Sequence, residues 1–95
     1  MARSIVILGS TGSVGVSTLD LLAQAAAHGS ADVEVLALAA GGNVALLAEQ
    51  ALAWRPKFVA IADPARLGAL RDRLAGSGIE AGGGPAAVIE AAEMG

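Results

Sequence analysis

The chain has no cysteine and no tyrosine, a single histidine, and only Trp54 and Phe58 as aromatics. Without cysteine it forms neither disulfides nor thiolate metal sites. Basic residues are also few: six Lys and Arg against nine Asp and Glu give a net charge of −3 and a pI near 4.8. The six are scattered, so there is no electrostatic footprint for nucleic acid. Long apolar runs are missing too, despite a mean hydropathy of +0.64. The most apolar stretch, Val35 to Ala48, is broken by Gly41-Gly42-Asn43 and falls short of the ~20 residues a membrane span needs. Ahead of Gly9 stands only the aliphatic run Ile5–Leu8, too short for a secretory signal. The expectation is a soluble, non-secreted, cytoplasmic protein with no membrane partner.

What is abundant is alanine and glycine. Hydrophobic residues make up 55% of the 95 positions, and glycine occupies 13. A chain of this length holds one domain and buries a little over ~60% of its unfolded surface. Its core must be Val, Ile and Leu packed through close Ala and Gly contacts.

The apolar run Ser4–Leu8 leads directly into Gly9-Ser-Thr-Gly-Ser-Val-Gly15 and then into a helix-patterned stretch. This is a strand, a glycine turn and a helix N-terminus, the arrangement that binds a nucleotide pyrophosphate. Gly9 permits the tight turn, Gly12 lets backbone approach the phosphates, and Gly15 lets the first helical turn sit against the strand. Open N–H groups and the helix dipole then hold the anion. Thr11 and Ser13 add hydroxyls where phosphate oxygens would lie, although turn formation and helix capping explain both equally well.

Four strand–helix units follow one another. Strand one is Ser4–Leu8, apolar throughout from Ile5, as in a parallel strand covered on both faces. A helix from Ser13 or Val14 places Gly15, Thr18, Leu19, Leu22 and Ala26 on one stripe and ends at His28-Gly29-Ser30. Strand two is Val33–Ala39. Asn43 caps the second helix, which buries Val44, Leu47, Ala48 and Ala51, turns Glu49 and Gln50 to water, and is closed by Pro56. Strand three is Phe58–Ala62. Asp63-Pro64 starts a third helix with Leu67, Leu70 and Leu74 inside and Gly76 as its C-cap. A short strand, Ile79–Ala81, passes through a loop at Gly82-Gly83-Gly84 to Pro85 and a last helix ending near Met94.

Such alternation predicts an α/β fold: a partial Rossmann-like, doubly wound parallel sheet with right-handed crossovers and helices on both faces. Glu80 places strand four at the outer edge beside strand three, which leaves the apolar strand one as an open edge. An exposed edge of that kind is an aggregation hazard. The expectation is therefore that residues 1–95 are an incomplete N-terminal nucleotide-binding domain, supplying one mononucleotide half and an extra strand.

Strand two ends in Ala39-Ala40-Gly41-Gly42-Asn43 with no carboxylate for a ribose 2′-hydroxyl. That disfavours NAD and permits a 2′-phosphate seated on the N–H groups of residues 41–43; Asn43 is equally well a plain N-cap. His28 reads as a solvated turn residue, Asp20 as an exposed face residue, Trp54 as packing against the sheet edge, and Glu90 and Glu93 as exposed helix charge. No catalytic acid–base, nucleophile or metal constellation is present.

The string Gly9–Gly15 with Ser17-Thr18-Leu19-Asp20 resembles the opening of 1-deoxy-D-xylulose 5-phosphate reductoisomerases. Ala39-Ala40-Gly41-Gly42-Asn43-Val44 resembles that family's second cofactor loop, Gln50 and Pro56–Ala62 follow in register, and Gly82–Gly84 and Ala91-Ala92 match its glycine loop and alanine-rich helix. The resemblance spans essentially the whole chain. It implies an NADPH-dependent enzyme that also uses a divalent metal, Mg or Mn. The reaction rearranges and reduces 1-deoxy-D-xylulose 5-phosphate to 2-C-methyl-D-erythritol 4-phosphate in non-mevalonate isoprenoid synthesis, commonly in a homodimer. By this similarity Thr11, Gly12, Ser13 and Val14 contact the NADPH phosphates, and Gly41, Gly42 and Asn43 lie near the adenosine ribose phosphate. Many relatives carry a basic residue where this chain has Gly42, so selectivity for NADPH here falls to backbone N–H groups, to Asn43 or to a cation elsewhere. Family members are several times longer, and their metal ligands, substrate-phosphate site and lid lie beyond this stretch. The isolated chain is therefore expected to be inactive.

Two other readings fit the same residues. One is a fragment of another NADP-dependent enzyme, such as a semialdehyde dehydrogenase or an extended short-chain reductase, which would need a catalytic Cys or Tyr. The other is a stand-alone, non-catalytic dinucleotide-binding module.

Overall fold

The computed structural model describes residues 3–27 and 33–94. Strand β1 (Arg3–Leu8) leads into α1 (Ser13–Ala27), followed by β2 (Val33–Ala40), α2 (Val44–Trp54) and β3 (Phe58–Ile61). A tight turn of helix (Pro64–Arg66) opens α3 (Leu67–Leu74), and β4 (Glu80–Gly83) precedes α4 (Pro85–Glu93). The expected α/β fold is present. The four strands form one parallel sheet in the order β1-β2-β3-β4, with β4 outside β3 and β1 at the opposite edge.

Alternation along the strands sorts the core into two layers. Ile7, Val35, Leu38, Ala40, Val59 and Ile61 meet Leu19 of α1, Leu47, Ala48 and Ala51 of α2, and Leu70 and Leu74 of α3. Ala37, Ala39, Phe58 and Ala60 point the other way, against Ala87 and Ala91 of α4. Helices thus cover both faces, three on one and α4 alone on the other. In β2 the alternation is interrupted at Leu36. Ile5 pairs with Val35 but Val6 with Ala37, which makes Leu36 the extra residue of a bulge.

The α2 stripe falls where the periodicity places it, with Leu47, Ala48 and Ala51 buried and Glu49 exposed. Gln50 does not face water. It is only 8% exposed, because it lies one turn from Leu47 and Trp54, on the flank turned toward the glycine loop. On α1, Gly15 and Leu19 are buried, Thr18 and Leu22 half-buried and Ala26 exposed, so full burial along the stripe ends at Leu19. His28 lies outside the described residues. Trp54 packs half-buried against the first core layer. Helix α2 is closed one residue ahead of Pro56 by Arg55, in left-handed conformation at φ 52° with its N–H bonded to the Ala51 carbonyl.

The glycine run differs most from expectation. Gly82 and Gly83 are strand rather than loop, pairing with Ala60 and Ile61, and Gly84 precedes α4. Their small size is a packing requirement. A Cβ on Gly82 would come within 2.8 Å of Phe58 Cζ and 3.1 Å of the Ala87 methyl. The third helix begins at Asp63 as expected, with its Oδ1 accepting from the Ala65 N–H at 3.1 Å. No helix among the described residues is long and apolar enough to cross a membrane.

Candidate functional site: two loops at the carboxyl ends of the strands

Because β1 and β2 are adjacent and parallel, the loops that follow them lie side by side. The Ser10 N–H donates to the Ala39 carbonyl at 3.0 Å, which ties the start of the first loop to the end of β2. Gly9, Ala39, Ala40, Gly41, Ala62 and Val88 line a cleft of about 200 Å³ here. A crevice outside the carboxyl ends of parallel strands is where such folds take their ligands.

The glycines of the first loop have separate physical roles. Gly9 has φ +69°, a left-handed conformation that costs an L-residue with a Cβ about 1–2 kcal/mol. The Gly12 N–H returns to the Gly9 carbonyl at 3.0 Å and closes the turn. Gly15 is buried, and a Cβ there would collide with the Gly9 carbonyl oxygen and lie 2.6 Å from Ser10 Cα. Helix α1 therefore starts hard against the end of β1.

The first intrahelical bond runs from the Val16 N–H to the Gly12 carbonyl at 2.9 Å. The N–H groups of Thr11, Ser13, Val14 and Gly15 precede it and have no hydrogen-bond partner among the described residues. Gly12, Ser13 and Val14 are exposed and Thr11 is half-buried. Open donors at the positive end of a helix, here one of 15 residues, are an arrangement suited to an anion.

In the second loop Asn43 is the N-cap of α2, its Oδ1 accepting from the Leu46 N–H at 3.2 Å. Its carbonyl takes the first bond of α2 from the Leu47 N–H, and the Gly41 carbonyl accepts from the Asp63 N–H at 3.1 Å. The Gly42 and Asn43 N–H groups have no partner among the described residues. A second set of open backbone donors thus stands beside the first.

Sequence reasoning missed two groups beneath the first loop. Gln50 Nε2 donates to the Ser10 carbonyl at 2.7 Å, a buried bond between residues 40 positions apart. Ser10 is fully buried, and its Oγ and Gln50 Oε1 have no hydrogen-bond partner among the described residues. The signal for Gln50 was its place in register within the family resemblance.

The other expected charges stay apart from the loops. Asp20 lines a groove of about 280 Å³ between α1 and α2. Glu90 and Glu93 are exposed on α4. Among the described residues no three His, Asp or Glu are grouped to hold a metal.

A profile of 1-deoxy-D-xylulose 5-phosphate reductoisomerases matches residues 5–95. The chain belongs to that family. The reductoisomerase of Caulobacter vibrioides is 50% identical over 93 residues, 98% of this chain and 22% of the relative. A Bradyrhizobium reductoisomerase is 53% identical over 90 residues, 95% of this chain and 21% of the relative. Among solved structures, the Zymomonas mobilis reductoisomerase in complex with NADPH superposes with a TM-score of 0.91 at 42% identity, over 100% of this chain and 24% of that one. A further reductoisomerase, in complex with NADPH, fosmidomycin and magnesium, gives 0.83 at 26% identity over 95% of this chain and 21% of that one. The chain therefore spans about a fifth to a quarter of the length of these family members.

Proposed function

We propose that this chain is the NADPH-binding segment of a 1-deoxy-D-xylulose 5-phosphate reductoisomerase, the first part of that enzyme's nucleotide-binding domain. The observation that carries the reading is the pair of adjacent loops with open N–H groups at the carboxyl ends of β1 and β2, in a chain that matches the family from residue 5 to residue 95.

The residues fit NADPH. The seat at the start of α1 suits the pyrophosphate, with Gly9, Gly12 and Gly15 setting the turn and Thr11, Ser13 and Val14 placing donors along it. Gly41, Gly42 and Asn43 suit the ribose phosphate, because the end of β2 carries no carboxylate that would claim a ribose 2′-hydroxyl. When bound, NADPH supplies the hydride of the family's reduction. The work of this chain is to hold the dinucleotide and fix its orientation toward the rest of the enzyme.

The substrate 1-deoxy-D-xylulose 5-phosphate, the divalent ion (Mg or Mn) and the homodimer contacts belong, in this proposal, to the remainder of a full-length reductoisomerase. That enzyme would work in the cytoplasm. By itself the 95-residue chain is expected to show no turnover.

A chimera tests the proposal. This chain would replace the matching segment of the Zymomonas mobilis enzyme, and NADPH-dependent turnover of 1-deoxy-D-xylulose 5-phosphate would be measured. Activity is expected. A folded chimera unable to bind NADPH would contradict the reading.

A further inference from the structure

We infer that Arg66 is the side chain that recognises the ribose 2′-phosphate and so sets the preference for NADPH over NADH. The inference rests on the NADPH reading above and assigns a residue to it.

Four segments join the carboxyl ends of the strands to the α-helices that follow, at residues 9–12, 41–43, 62–66 (which includes the tight helical turn Pro64–Arg66) and 84. Arg66 is the only Lys or Arg in any of them. The remaining basic residues sit on strands, on helix faces or at the opposite end of the sheet. Arg55 and Lys57 precede β3, and Arg71 reaches the Ala81 carbonyl from α3.

The backbone brings Arg66 to the second loop. The Ala62 N–H bonds the Ala40 carbonyl at 2.8 Å and the Asp63 N–H bonds the Gly41 carbonyl at 3.1 Å, which zips the turn after β3 to the turn after β2. The Arg66 side chain then lies across Gly42. A Cβ on Gly42 would stand 3.5 Å from Arg66 Nε and 3.6 Å from its Cδ. These are ordinary contact distances, so the arginine side chain rests against Gly42.

Asp63 holds the guanidinium by one edge only, through Nε to Oδ2 at 3.3 Å. The two terminal amino groups have no partner among the described residues, and the side chain is 58% exposed. A guanidinium fixed at Nε with both terminal nitrogens free is suited to bidentate contact with a phosphate. Beside it stand the open Gly42 and Asn43 N–H groups, and the end of β2 carries no carboxylate that would prefer a 2′-hydroxyl.

The test is calorimetric titration of the chimera described above with NADPH and with NADH, carrying this segment unmodified or with Arg66→Gln or Arg66→Lys. Arg66→Gln is expected to weaken NADPH about tenfold to a hundredfold and to leave NADH within about twofold, with Arg66→Lys in between. Arg66 is exposed, so unchanged circular dichroism and melting should confirm that the variants fold. Unchanged NADPH affinity in folded Arg66→Gln would overturn the inference alone. Equal weakening of NADPH and NADH would overturn it too, since it would place the guanidinium on the shared adenosine. Failure of the unmodified chimera, properly folded, to bind either dinucleotide would instead overturn the nucleotide reading itself.

Discussion

Gly15 and Gln50 hold the first loop from two sides, and each can be removed by one substitution. Gly15→Ala would drive a methyl into the Gly9–Ser10 backbone, which cannot yield without lifting α1 from β1. The expected cost is about 3 kcal/mol, the upper part of the overpacking range, with loss of NADPH binding; a urea melt and a titration would measure both. Gln50→Met keeps the volume but leaves the buried Ser10 carbonyl without its donor, an expected loss of about 1–3 kcal/mol. Ser10→Ala removes a hydroxyl that has no hydrogen-bond partner among the described residues, and is expected to be neutral or slightly stabilising in the same melt. Equal losses in the two variants would show that the Gln50 contact is not what holds the loop. The glycine roles were legible in the sequence because a left-handed turn and a close helix approach are local demands that only glycine meets. Gln50 was not, because its burial depends on where α1 and the glycine loop come to rest, and helical periodicity alone set it on the wet side.

At the scale of elements, caps and stripes read through cleanly. Asn43 and Asp63 each accept from a helix N–H as their residue types predict, and the apolar spacing of α2 and α3 marks the residues that pack on the sheet. The Gly82–Gly84 run misled because strand signals are carried by side chains, whereas β4 is held by backbone pairing in a space that excludes them. Gly82→Ala is accordingly expected to destabilise the chain by about 1–3 kcal/mol, although a loop glycine of ordinary φ would tolerate alanine. The end of α2 gives the opposite sign. Arg55 sits in the left-handed region at φ 52°, and its side chain makes one exposed bond, to the Ser77 carbonyl at 3.3 Å. Arg55→Gly is expected to raise stability by about 0.5–1 kcal/mol, relieving the strain at some cost in chain entropy. A lower melting midpoint would show that the bond to Ser77 outweighs the strain.

For the whole molecule, the sheet order leaves β1 with a neighbour on one side only, and Leu8 at its end is 53% exposed. An apolar parallel edge pairs readily with another chain. As a 95-residue protein it is therefore expected to self-associate, with a light-scattering mass that exceeds 9.2 kDa and rises with concentration. Ser4→Lys, at an exposed position on that edge, should reduce the effect. A monodisperse monomer at all concentrations would show that the edge is protected. Strand order and edge position were legible from the polarity of Glu80 and the apolar run of β1. The bulge at Leu36 and the concentration of three helices on one face were not, since both depend on how the twisted sheet is packed.

In the proposed reading, the two loops after β1 and β2 together hold NADPH. The most direct test of that claim is an NADPH titration of the isotopically labelled chain followed by amide resonances. The N–H signals of Thr11–Gly15 and Gly41–Asn43 are expected to shift together and saturably, with those of the α1–α2 groove unmoved. Absence of any shift at high NADPH, or shifts centred on Asp20, Glu49 and Trp54 in that groove, would contradict the claim.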